Sequence, residues 1–137
     1  MQLTNQDKEL ISIAGNVVRE NLDLYEDIDM IVGSAVLCKS GNIYKGVNIL
    51  SSHSVCAEQV AIGQALACGE REFDTIVAVK LDKDGKSRVI SPCGLCRYII
   101  DKLDMNINIL VEDIDNDKIA KVKSDKLLPY PYKRESE

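Results

Sequence analysis

Aromatic side chains make up only 4% of this 137-residue chain: five tyrosines, one phenylalanine and no tryptophan. That scarcity argues against a long groove on which the bases of a single strand would stack. Basic residues are short as well, since 17 Lys and Arg against 22 Asp and Glu leave a formal net charge of −5. A phosphate backbone is bound through a local surplus of cations, so a small molecule is the expected partner and nucleic acid is not. No apolar run approaches the roughly 18 residues that a membrane helix requires. The stretch "MQLTNQDKEL" lacks the basic-then-apolar layout of an export signal, which predicts a cytoplasmic location and no membrane partner. Internal repeats, low-complexity tracts and Pro/Gly-rich linkers are missing too, leaving one domain over residues 1–137.

What is present looks globular, with 45% apolar and 28% charged residues. Thr4 and Asp7 form a helix-capping pair, and Leu10, Ile11, Ala14, Val17, Val18 and Leu22 follow at helical spacing. "IVGSAVL" (Ile31 to Leu37) is almost continuously apolar, as a buried strand is. The turn residues "SGN" separate it from the alternating "IYKGVNI" (Ile43 to Ile49), which predicts a hairpin. A second helix is expected over Cys56 to Cys68, ended by Gly69. "TIVAVKL" (Thr75 to Leu81) is a third strand, stopped by "DKDG", and Pro92 opens a third helix reaching Leu103. "INILVE" and the weaker "KIAKVK" complete five strands, followed by a short helix at "SDKLLP". Strands alternating with helices imply right-handed crossovers and helices on the faces of a partly parallel sheet. The class is α/β.

The five cysteines, an odd number, point to reduced thiols used for metal or catalysis rather than to a disulfide frame. In "SPCGLCR", Cys93 and Cys96 are three apart, so on one helix they face the same way. In "HSVCAEQVAIGQAL", Cys56 opens another helix, with Glu58 two positions on. Parallel crossovers would bring both helix heads to the carboxyl edge of the sheet, where open α/β folds bind ligands. A helix N-terminus favours thiolate over thiol, and three thiolates make a soft, near-tetrahedral cup for zinc. Three protein ligands leave a fourth position for a water whose pKa the metal lowers. Glu58 stands close enough to move that water's protons without ligating the ion.

Two other readings compete. Cys93 and Cys96 alone would suit thiol exchange, but a redox pair needs neither Cys56 nor Glu58. His53 and Cys56 form H-x-x-C, which would complete a closed, structural Cys₃His site with no enzymatic role. Against this, the step from Cys56 to Cys93 holds a whole helix and strand, far longer than a zinc-finger loop. Cys38 and Cys68 are small core or near-surface residues.

"CAE" at Cys56 to Glu58 together with "SPCGLCR" resembles the signature of the cytidine deaminase superfamily. The N-terminal helix, "GVN" at Gly46 to Asn48 and "LLPY" at Leu127 to Tyr130 extend the resemblance over nearly the whole chain. The short loop between Asn48 and Cys56 is most similar to the blasticidin-S deaminase branch. The resemblance implies a three-layer α/β/α fold with a mixed five-stranded sheet. It makes Cys56, Cys93 and Cys96 the zinc ligands and Glu58 the general acid/base. Asn48 would contact the nucleoside sugar, and the backbone around Ala57 and Ser91 the pyrimidine edge. The reaction implied is hydrolysis at C4 of cytidine or deoxycytidine, as in pyrimidine salvage, with a blasticidin-type aminoacyl cytosine nucleoside as the alternative. Tyr130 and Tyr132 would lie over the substrate, and the assembly implied is a homotetramer. Two positions depart from the pattern. Leu50 stands where ordinary members carry a glutamate for the sugar, and Gln59 where many carry an arginine. Arg97, next to Cys96, then becomes the candidate to offset the net negative charge of zinc bound by three thiolates.

Overall fold

The computed structural model describes residues 2–103 and 105–133. Its first helix, α1 (Asn5–Arg19), starts at the capping pair read from the sequence. The Thr4 hydroxyl accepts the Asp7 N–H at 3.1 Å, and the Asp7 carboxylate accepts the Thr4 N–H at 2.8 Å. Leu10, Ala14, Val17 and Val18 form its buried face, while Leu22 lies past the helix end and is exposed.

The sheet is built from β1 (Gly33–Cys38), β2 (Ile43–Val47), β3 (Phe73–Leu81), β4 (Ser87–Ile90), β5 (Asn108–Asp113) and β6 (Lys118–Lys123). The order is β2-β1-β3-β5-β6, with β4 pairing β3 off this path. All pairs are antiparallel except β3 with β5. The sheet is therefore mixed, with six strands where five were expected. The additional strand is β4, which folds back on β3 after the "DKDG" turn, closed by Asp82 N–H on the Lys86 carbonyl at 2.8 Å. Four residues, "SRVI", are too few to display an alternation that a reader of sequence can detect.

All six residues of β1 are buried, and the strand divides the core. Ala35 and Leu37 face α1 together with Val77, Val79 and Leu110. Val36 and Cys38 face the opposite layer, made by α2 (Ala57–Ala67) and α3 (Gly94–Lys102), among Ala61, Ile62, Ala65, Ile76, Ile100 and Ile109. One helix on one face and two on the other give the three-layer α/β/α architecture. Gly69, at φ +93°, ends α2 in the left-handed conformation that glycine adopts without strain. The expected terminal helix is a single 3-10 turn, Ser124–Leu127.

Candidate active site

Two of the three site cysteines occupy helix caps. Cys56 is the N-cap of α2 and Cys93 that of α3, both with extended backbone, and α3 accordingly begins at Gly94 rather than at Pro92. Gly46 in β2 lets the head of α2 come close, because a Cβ there would lie 2.5 Å from both the Ala57 carbonyl oxygen and the Ala61 nitrogen. The "GVN" glycine thus seats the helix that carries Cys56 and Glu58.

The sulfurs of Cys56 and Cys93 lie 3.5 Å apart, as do those of Cys93 and Cys96, and all three fall within 4.8 Å of one another. A zinc ion holding sulfurs at about 2.3 Å in a tetrahedron needs them about 3.8 Å apart, so the donor set and its spacing fit zinc. His53 is not in this cluster. It sits in the exposed 51–54 turn, its N–H on the Ser51 hydroxyl at 3.2 Å. The closed Cys₃His alternative loses its fourth ligand for that reason.

Burial, followed by the adjacent Cys93 thiol, pushes the Cys56 thiol up to about 11. Burial raises Cys96 further, and the nearby Glu58 carboxylate adds to it. For Cys93 burial also works upward, but the Cys96 backbone N–H, the two neighbouring thiols and the Leu95 N–H outweigh it and lower the pKa. Glu58 is 6% exposed, and its burial raises its pKa against the pull of its own backbone N–H. The raised thiols of Cys56 and Cys96 would release their protons to a bound dication.

A pocket of about 230 Å³ opens above the cysteines, and Asn48, Ala57, Glu58 and Ser91 line it with Cys56 and Cys93. Val32, Leu50, Val55 and Ile90 complete an apolar wall. Asn48 is buried, and its amide is committed to backbone: Oδ1 accepts from Val32 N–H and Nδ2 donates to the Met30 carbonyl, each at 2.9 Å. Neither Tyr130, 98% exposed, nor Tyr132, 69% exposed, lines the pocket.

Arg97 is directed elsewhere than the sulfurs. Its guanidinium donates to the Pro92 carbonyl at 2.9 Å and the Leu127 carbonyl at 3.4 Å. One residue of helix turns a side chain by about 100°, so the neighbour of Cys96 cannot share its direction. Apart from the Cys93 thiol, which donates to the Cys96 sulfur at 3.5 Å, Gln59 donates to it, with Nε2 3.6 Å away. Tyr25 is a second residue that the sequence did not reveal: its hydroxyl donates to the Asn48 carbonyl at 2.5 Å and accepts the Leu50 N–H at 3.1 Å. A tyrosine in a polar segment carries no periodic signal. Gln59 was visible only as a departure from the family pattern.

Residues 4–111 match the family described as the cytidine and deoxycytidylate deaminase zinc-binding region. A blasticidin-S deaminase from Bacillus cereus is 37% identical over 139 residues, 96% of each chain. A cytidine deaminase from Sporosarcina psychrophila is 36% identical over 112 residues, 76% of each chain. Among solved structures, a cytidine deaminase from Burkholderia pseudomallei aligns with a TM-score of 0.72 at 26% identity, covering 95% of this chain and all of its own. A family match that runs from the cap of α1 into β5, joined by a relative similar over nearly the full length, settles the kinship: the chain belongs to the cytidine and deoxycytidylate deaminase family.

Proposed function

We propose that the protein is a zinc-dependent hydrolase that removes the 4-amino group of a free cytosine nucleoside, cytidine or deoxycytidine, in pyrimidine salvage. The observation that carries this reading is a three-thiol cluster beside a buried carboxylate in one pocket. Cys56, Cys93 and Cys96 would hold the zinc. When bound, the ion supplies Lewis acidity, lowering the pKa of a water towards neutrality.

The chain's own residues do the rest. Glu58 takes the proton of the attacking water, passes it to N3 of the ring, and delivers a second proton to the amino nitrogen leaving C4. Water and nucleoside enter; the uracil nucleoside and ammonia leave. Positioned proton transfer of this kind contributes about 10²–10⁴-fold. Ala57, at the first helical position of α2, presents an N–H that the helix itself does not use, suited to the pyrimidine edge opposite Ser91. Asn48 lines the pocket and would stand beside the sugar, its side-chain amide being bonded to Val32 and Met30. Gln59, rather than Arg97, is the donor that tempers the negative charge on Cys96.

A blasticidin-type aminoacyl cytosine nucleoside is the second reading, favoured by the 37% identity to a blasticidin-S deaminase over 96% of both chains. We further take residues 1–137 as one domain, placed in the cytoplasm and assembled as a homotetramer. The exposed Tyr130 and Tyr132 are surfaces that such an assembly would cover, over a neighbouring subunit's substrate. Among the described residues, no helix is long and apolar enough to cross a membrane.

Ammonia release by the zinc-loaded protein from cytidine, deoxycytidine, cytosine, guanine and blasticidin S tests the assignment. Turnover of a simple cytosine nucleoside supports it, turnover of blasticidin S alone selects the second reading, and turnover of none overturns both.

A further inference from the structure

We propose that Tyr25 is a positioning residue for the reaction, its hydroxyl holding the 49–55 loop in place as one wall of the pocket. The role rests on the deaminase reading above and adds to it a residue that lies outside the pocket lining.

The 49–55 loop is closed on itself. Ile49 and Val55 exchange N–H···O bonds of 2.9 and 2.8 Å at its base. Inside it, the Ser51 hydroxyl accepts the His53 and Ser54 N–H groups at 3.2 and 3.0 Å, and the Ser54 hydroxyl donates to the Ser51 carbonyl at 3.0 Å. Those bonds fix the shape of the loop but not its place on the body of the protein. Its place matters, because the loop gives Leu50, Ser54 and Val55 to the pocket lining and leads directly into Cys56.

Tyr25 supplies the tie. Strand β2 ends at Val47, so the Asn48 carbonyl and the Leu50 N–H have left the ladder of the sheet. The Tyr25 hydroxyl stands in for the missing strand partner, donating to the Asn48 carbonyl at 2.5 Å and accepting the Leu50 N–H at 3.1 Å. Among the described residues it is the hydrogen-bond partner that each of these two groups has. The other end of the side chain is anchored, since Tyr25 packs against the buried cluster of Val18, Ile31 and Leu81. Asn48 is held without this hydroxyl, by its N–H on the Val32 carbonyl and its amide on Val32 and Met30. What the hydroxyl adds is the placement of the chain beyond Asn48. A wall held in advance spares a ligand the cost of ordering it, and two neutral hydrogen bonds are worth about 10-fold or more in such an equilibrium.

Tyr25→Phe keeps the ring and its packing and removes only the hydroxyl. Tyr44→Phe is the matched control: the Tyr44 hydroxyl donates to Glu70 Oε2 at 2.8 Å, and Tyr44 is not among the pocket-lining residues. Both variants are compared with wild type as zinc-loaded full chains on cytidine, deoxycytidine and blasticidin S. Tyr25→Phe is expected to raise KM for the turned-over nucleoside about 10-fold, to hold kcat within about 3-fold and to keep stoichiometric zinc, the pattern of lost binding rather than lost chemistry. Hydrogen exchange read by mass spectrometry should show faster exchange confined to residues 49–55. Tyr44→Phe should leave both KM and the exchange of that loop at wild-type values. An unchanged KM in Tyr25→Phe, or an equal rise in both variants, would mark a merely structural hydroxyl and overturn the inference while leaving the deaminase reading intact. Absence of turnover by wild type on all three nucleosides would overturn that reading and this role with it.

Discussion

The sulfurs of Cys56 and Cys93 are 3.5 Å apart although 37 positions of chain separate the two residues. The register of the sheet explains the meeting. Val47 at the end of β2 pairs with Gly33, Gly33 with Val79, and Val79 with Val89 near the end of β4. One row across four strands therefore sets the level at which both connections leave the sheet, and α2 and α3 begin side by side. β2 reaches that row running parallel to β3, and β4 reaches it running back along β3.

Glu58→Gln should keep stoichiometric zinc by elemental analysis yet lower the rate of ammonia release by about 10²–10⁴-fold, because the amide cannot carry a proton. His53→Ala should change neither zinc content nor rate appreciably, since His53 lies outside the sulfur cluster. Loss of zinc from the histidine variant would restore the structural-site reading.

Chelation should destabilise the fold, because the ion would tie the heads of α2 and α3 together. Free zinc at 100 times its Kd adds about 2.7 kcal/mol. At about 4 °C per kcal/mol for a chain of this size, calorimetry should show a Tm fall of about 10 °C, reversed by zinc and not by magnesium.

Two glycines on neighbouring surfaces should respond oppositely to alanine. Gly46→Ala forces a methyl to within 2.5 Å of the α2 backbone and should cost about 1–3 kcal/mol in urea unfolding, with weakened zinc binding. Gly63→Ala, inside α2 with nothing within 4 Å, should stabilise by about 0.5–1 kcal/mol and leave zinc binding unchanged.

Asp7 ties α1 to the edge strand β6 through Lys121, whose Nζ lies 3.2 and 3.0 Å from the two carboxylate oxygens. Burial alone would raise the Asp7 pKa, but the Thr4 backbone N–H and the Lys121 ammonium outweigh it and hold the carboxyl below its ordinary 3.8. A carboxylate lowered in the folded state stabilises above its ordinary pKa, and that contribution is lost as pH falls through the folded value. Urea unfolding should therefore show wild type more stable than Asp7→Asn at neutral pH, with the gap closing below about pH 4. Lys121→Met, which strands the buried carboxylate, should cost about 3 kcal/mol at neutral pH.

Much of the site was legible before any coordinates. The Thr4–Asp7 cap, the apolar stripe of α1, the β1–β2 hairpin and the cluster of Cys56, Cys93 and Cys96 stand where the spacing put them, and Glu58 lines the pocket with Cys56 and Cys93. The strand β4, the Tyr25 clamp and the Gln59 contact were not legible, being a four-residue strand, a lone polar-loop tyrosine and one bond between separate helices. Arg97, His53, Tyr130 and Tyr132 looked close to the site along the chain or by pattern, yet none is in the sulfur cluster or the pocket lining.

By itself the sequence determined the elements and the chemistry on offer, because caps, periods of 3.6 and 2 and cysteine spacing are local properties that each segment carries with it. Which sulfurs share an ion, which carboxylate is buried beside them and which side chains wall the pocket were decided only by tertiary structure. Those distances depend on strand register and on the return of β4, and pairing across a sheet is a property of no single segment.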